Sequence, residues 1–167
     1  QPDEGTVDVG ETTNFCYVDQ TRQTLRDDFT VYDEVADGSD VIEYGDKTLS
    51  VRHYLARFLF SGSIQQTEVG RLSGGERNRL QLAKMLRKPS NCIILDEPTN
   101  DLDLMTLRVL EESLLEYPGC AIVITHDRYF LDRVATHILG FEGDGEIEFC
   151  TGSWDFYVSQ REKRIAA

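Results

Sequence analysis

Two uninterrupted apolar runs limit what this chain can become. They are Cys92-Ile93-Ile94-Leu95, which ends in Asp96-Glu97, and Cys120-Ala121-Ile122-Val123-Ile124, which ends in Thr125-His126-Asp127. Both are of strand length, and neither alternates with polar residues, so they read as strands apolar on both faces. Helical spacing follows each one: residues 103–116 set Leu107, Leu110 and Leu114 on one face, and Asp127 to Val134 follows the second run. Such strands alternating with helices predict an α/β fold, a mainly parallel sheet flanked by helices. Ligand chemistry in such sheets gathers at the carboxyl ends of the strands, which is where Asp96, Glu97 and His126 stand.

The remaining segments are less regular. Phe15 to Val18 reads as a strand, and with Val7, Val9 and a turn at Gly10-Glu11 it predicts a hairpin entering a loop at Asp19-Gln20. A short helix is expected at Asp33 to Asp37. A second hairpin is expected from Val41–Tyr44 and Lys47–Val51 across Gly45-Asp46, and a helix over 51–60 from Val51, Tyr54, Leu55, Phe58 and Leu59. Residues 20–72 thus predict a small, mostly helical insertion. Ser73 to Lys88 predicts a longer helix, His137–Phe141 a strand, Glu146–Phe149 an edge strand, and Ser153–Ala166 a terminal helix.

With 167 residues the chain has a one-domain length and can bury a substantial core. Its formal net charge of −13 makes the surface as a whole repel nucleic acid and anionic membrane. No apolar run approaches the roughly 20 residues of a membrane helix. Cys16, Cys92, Cys120 and Cys150 are widely spaced without C-x-x-C, which predicts reduced cysteines, Cys92 and Cys120 packed in their strands, and a cytoplasmic setting. The basic residues Arg77, Arg79, Lys84, Arg87 and Lys88 predict a solvated helix face rather than a nucleic-acid patch.

Several short motifs carry chemistry. An apolar strand ending in Asp-Glu suits a carboxylate that positions Mg²⁺, Asp96, followed by one that activates a water, Glu97. By itself the pair reads equally well as a polar strand end closed by Pro98. Leu72-Ser73-Gly74-Gly75-Glu76 contains Ser-x-x-Glu, a capping box for the helix that follows. Its two glycines lower helix stability by about 1 kcal/mol each relative to alanine. They also let a phosphate approach bare backbone N–H groups. Read singly, His126 at a strand end and Gln20 after its own strand are structural.

In chain order, Gln20, Leu72-Ser73-Gly74-Gly75-Glu76, Asp96-Glu97, Asp103 and His126 resemble the Q-loop, signature, Walker B, D-loop and H-loop of the ATP-binding-cassette ATPases. The resemblance spans essentially the whole chain. Within that group, Pro98-Thr99-Asn100-Asp101-Leu102-Asp103 is similar to the D-loop of the ABC-F branch, soluble tandem ATPases acting on ribosomes. The resemblance implies ATP and Mg²⁺ as cofactors. Glu97 becomes the general base and His126 the contact to the γ-phosphate, with Gln20 and Asp96 at the metal. Ser73, Gly74, Gly75 and Glu76 would form the face presented to ATP seated on a second cassette, and Asp103 would couple the two sites. It also implies four parts: 1–19 as a remnant of an N-terminal β subdomain, 20–88 as Q-loop and helical signature subdomain, 89–150 as the α/β core, and 151–167 as a C-terminal helix. The implied partners are the other cassette, the ribosome and tRNA, with no membrane segment.

One departure from the pattern stands out. The phosphate loop G-x-x-x-x-G-K-[ST] is absent, and no Gly-Lys pair occurs in the sequence. The chain is therefore expected to be a fragment of a longer protein, inactive alone. Three alternatives share some of these motifs. An ATPase subunit of a membrane transporter has the same catalytic set. A chromosome-structure or repair ATPase predicts sustained heptads that are not present. A non-catalytic module would present Ser73-Gly74-Gly75 to another protein's ATP.

Overall fold

A computed structural model of the chain describes residues 4–18, 25–44, 47–100, 102–143 and 145–165. Gln20 and the Gly45-Asp46 turn lie outside them. The described residues form two compact units: residues 1–96 with 117–123, and residues 97–116 with 124–167.

In the first unit, β1 (Phe15–Val18), β4 (Cys92–Asp96) and β5 (Cys120–Ile124) make one sheet in the order β1-β4-β5. β1 runs parallel to β4, with Phe15 opposite Cys92 and Val18 opposite Leu95. The expected hairpin of Val7 and Val9 with β1 does not form. Its turn does, with Thr13 N–H donating to the Gly10 carbonyl at 2.9 Å, but residues 6–14 enter no ladder. Side-chain amides explain the difference. Asn14 N–H donates to Asn91 Oδ1 and Asn14 Nδ2 to the Pro89 carbonyl, both at 2.8 Å, and Asn91 Nδ2 donates to the Thr12 carbonyl. These bonds tie the entry of β1 to the entry of β4 and set the parallel register.

The helical part of this unit holds α1 (Val31–Ala36), the hairpin β2 (Val41–Tyr44) and β3 (Lys47–Ser50), α2 (Val51–Arg57) and α3 (Gly74–Leu86). Its core is Val31, Val35, Tyr54, Leu55, Phe60 and Leu80, each essentially without solvent contact. Tyr54 packs its ring at a tilt against Phe58 and donates its hydroxyl to the Ala83 carbonyl at 2.8 Å, fastening α2 to α3. α2 is shorter than the predicted 51–60, because Leu59 turns left-handed (φ 65°) and stays exposed. Two short 3₁₀ turns, Gly62–Gln66 and Val69–Arg71, carry no sequence periodicity and were not expected.

The basic residues of α3 also differ from expectation. Lys84 and Arg26 enclose the Glu34 carboxylate, which has no solvent exposure, at 2.5 and 2.7 Å. Arg77 bridges Asp27 and the Val69 carbonyl, and Arg87 donates to the Ala36 carbonyl. Most of this charge is spent inside the unit rather than on a solvated face.

The second unit contains α4 (Leu104–Leu115), α5 (Arg128–Val134), the antiparallel pair β6 (His137–Gly143) and β7 (Glu146–Thr151), and α6 (Trp154–Ile165). Ile138, Cys150 and Tyr157 form one small core cluster there with Ala135, Trp154 and Val158, and Val109, Leu110 and Phe130 are buried as well. On α4 the buried residues are Thr106, Val109, Leu110, Glu111 and Ser113; of the expected leucine face Leu110 is buried, and Leu107 and Leu114 are half-buried beside it.

β5 is the other correction. Its apolar residues are mostly exposed, Ile122 at 46% and Ile124 at 52%, and Cys120 is exposed as well. It is an edge strand of its sheet, and a run's composition records that a strand tolerates burial, not which elements cover it. The four cysteines are free, with Cys16, Cys92 and Cys150 buried. Among the described residues no helix is long and apolar enough to cross a membrane.

Candidate functional site

In the first unit the motif at residues 72–76 starts α3. Ser73 is the N-cap: its Oγ accepts the Glu76 N–H at 3.4 Å and donates to Glu76 Oε2 at 2.6 Å. Glu76 Oε2 also accepts the Ser73 N–H at 2.8 Å, which completes the capping box. The Ser73 hydroxyl and backbone N–H hold the Glu76 carboxyl below the usual glutamate range. Leu72 is buried and anchors the motif, while Ser73 and Gly74 are exposed. A Cβ added at Gly74 would meet nothing within 4 Å. Packing inside the chain therefore does not require this glycine, although it weakens the helix it begins. Asp96 ends β4, half-buried, at the carboxyl end of the strand.

Glu97 opens the second unit. Its backbone is left-handed (φ 46°), a conformation costly for a residue with a side chain and found where the surroundings enforce it. Part of that enforcement is the Glu97 N–H, which donates to the Ile124 carbonyl at 2.7 Å. The Glu97 carboxylate is 18% exposed, and Oε1 lies 3.5 Å from His126 Nε2, whose ring is almost wholly exposed at 99%. A sheltered acid is thus set against an imidazole open to solvent, a pair suited to proton transfer at the edge of a ligand.

Asp103 caps α4: Oδ1 accepts the N–H groups of Met105 and Thr106, both at 3.0 Å, and Oδ2 accepts the Thr106 hydroxyl. Asp127 caps α5, accepting the Phe130 N–H at 3.0 Å. Two residues to which the motif reading gives no role of their own also join this region: Thr99 Oγ1 and Thr125 Oγ1 are 3.1 Å apart, and Thr125 Oγ1 accepts the Asp127 N–H. The available signal was Thr125 two residues before Asp127, the spacing of a side-chain-closed turn.

The structure brings Glu97 and His126 together in the second unit, and Ser73 with Glu76 in the first. Among the described residues no three His, Cys, Asp or Glu side chains gather as a metal cage. Asp96 offers at the strand end one carboxylate of the oxygen type that Mg²⁺ accepts beside phosphate and water.

The profile of the ABC transporter family matches residues 1–100. All 167 residues align at 49% identity with the energy-dependent translational throttle protein EttA of Escherichia coli (strain K12), covering 30% of that protein. They align at 46% identity with the ATP-binding protein Uup-like of Haemophilus influenzae, covering 36% of it. The chain thus spans about a third of the length of these curated relatives. Among solved structures, the archaeal ribosome recycling factor aABCE1, in complex with the ribosomal stalk protein aP1, superposes with a TM-score of 0.63. That match is 23% identical and covers 96% of this chain and 32% of that one, so it speaks to the fold alone. Fold, motif order and profile agree, and the chain belongs to the ABC transporter family of ATP-binding cassettes, in its ABC-F branch.

Proposed function

We propose that this chain is the catalytic part of an ABC-F ATPase cassette that acts on the ribosome in translation, in the cytoplasm, and works against a second cassette. The observation that carries the reading is the Glu97–His126 pair: a sheltered carboxylate on a left-handed residue at a strand end, 3.5 Å from an exposed imidazole. Translation enters from EttA, whose name describes a translational throttle.

When bound, Mg²⁺-ATP supplies the γ-phosphate and a cation that neutralises its charge. Glu97 then accepts a proton at its carboxylate from the attacking water, its partial burial keeping competing water away. His126 presents its exposed ring toward the γ-phosphate. Asp96 and Gln20 serve the metal side. Ser73, Gly74, Gly75 and Glu76 form a face for ATP seated on the other cassette, where the bare amides at the start of α3 meet negative charge. Asp103, by capping α4, gives the D-loop a fixed end from which to couple the two sites. The open space around Gly74 also favours a second reading, in which the chain donates this face without hydrolysing ATP itself.

The test measures ATP turnover and ATP-dependent association of this chain beside the same chain extended upstream through a G-x-x-x-x-G-K-[ST] segment. We expect turnover only from the extended form. Glu97→Gln should lower its kcat at least about 100-fold while preserving the ATP-bound associated state. Turnover by the short chain, or unchanged kcat in extended Glu97→Gln, sinks the reading. A short chain that stimulates an isolated partner cassette through Ser73 but not through Glu97 favours the donor alternative.

A further inference from the structure

We propose that Thr99 and Thr125 are positioning residues for the Glu97–His126 pair, their hydroxyls closing the second of two stitches between the loop after β4 and the loop before α5. The proposal rests on the reading of Glu97 as the base. The first stitch is backbone, from the Glu97 N–H to the Ile124 carbonyl at 2.7 Å. The second is the 3.1 Å contact between the two half-buried hydroxyls.

Hydroxyl chemistry makes the second stitch more than a spacer. Each threonine has one proton to donate and two lone pairs. Thr125 Oγ1 accepts the Asp127 N–H at 3.1 Å, so one lone pair is committed across His126. Its proton and remaining lone pair are left for Thr99, and either hydroxyl can be the donor of the Thr–Thr bond. His126 is thereby bracketed: Thr125 before it is tied to Thr99, and Asp127 after it is tied to Thr125 and caps α5.

The ring of His126 has no burial to hold it, so the placement of its backbone is what keeps it within reach of Glu97. The backbone of Glu97 is itself in a left-handed state that its surroundings must impose. On the Glu97 side, the Asn100 N–H donates to the Glu97 carbonyl at 3.2 Å and the Leu102 N–H to the Thr99 carbonyl at 3.4 Å. Thr99 is therefore one residue of a closed turn, and fixing its side chain fixes the turn. Valine keeps the branched Cβ of threonine and puts a methyl where the hydroxyl was, so the substitution removes the bond while retaining the side-chain shape.

The experiment compares Thr99→Val and Thr125→Val with Thr99→Ser and Thr125→Ser, and adds Thr99→Ala in case a valine variant fails to fold. Amide hydrogen exchange is followed in this chain, and ATP turnover in the upstream-extended chain. We expect Thr125→Val to speed exchange of the Asp127 amide about tenfold and Thr99→Val about threefold. In turnover, both should lower kcat by about tenfold with KM for ATP unchanged, and serine should restore both readouts. Unchanged Asp127 exchange in both valine variants, with Glu97→Gln inactive, overturns the stitch alone. Faster exchange with unchanged kcat reduces the pair to structural filler and also overturns the proposal. Full turnover by Glu97→Gln instead brings down the catalytic assignment on which it rests.

Discussion

At the scale of single residues, one hydroxyl serves two demands. Ser73 caps α3, and in the proposed function the same residue stands on the face offered to a phosphate. Ser73→Ala should cost about 1 kcal/mol of stability, the usual loss for an N-cap, measurable by chemical denaturation. The cost should depend on pH. Glu76 is held below its ordinary value of 4.5 by the Ser73 hydroxyl and N–H. Its contribution is present above that ordinary value and is lost as pH falls through the lowered folded one. Wild type and Ser73→Ala should therefore differ most near neutral pH and converge in acid. A gap that widens on acidification would contradict the capping-box account. The box was legible in the sequence because Ser-x-x-Glu acts within four residues. The Thr99–Thr125 contact was not legible, because its partners are 26 residues apart and meet only through the fold.

At the scale of elements, the start of α3 is legible in Ser-x-x-Glu, whereas the surroundings of a strand are not. Ser73, Asp103 and Asp127 all cap the helices that follow them, since a cap depends on groups within one turn. On α4 the leucine spacing marks a face of which only Leu110 is fully buried, while packing also buries Thr106, Val109, Glu111 and Ser113. Joining strands demands close backbone approach, and Gly119 provides it where β5 begins. The Cys120 N–H donates to the Asn91 carbonyl at 2.9 Å, and a Cβ on Gly119 would lie 2.5 Å from that same oxygen. Gly119→Ala should therefore destabilise the chain by about 2 kcal/mol, read as a lowered denaturation midpoint at unchanged m-value. A neutral result would mean that the entry of β5 shifts at no cost.

At the scale of the whole molecule, the β6–β7 pair has two unlike faces. One carries Ile138 and Cys150 against Tyr157, and the other exposes Leu139, Phe141, Ile147 and Phe149, with Leu139 opposite Phe149 and Phe141 opposite Ile147. A contiguous apolar face of this kind promotes self-association despite the net charge of −13. Replacing Phe141 and Phe149 together by lysine should lower the sedimentation-measured association of this chain while moving its stability by less than about 1 kcal/mol. Loss of folding instead would show that the exposed rings stabilise the hairpin. The sequence alone determined the α/β class and the capping box at Ser73, because each is written in the periodicity, spacing or identity of neighbouring residues. Only the tertiary structure decided that β1 pairs in parallel with β4, that β5 is exposed, that Glu34 holds two cations, and that Glu97 turns left-handed to meet His126. Those outcomes depend on which distant groups compete for the same hydrogen bonds and surface, and no local pattern records that competition.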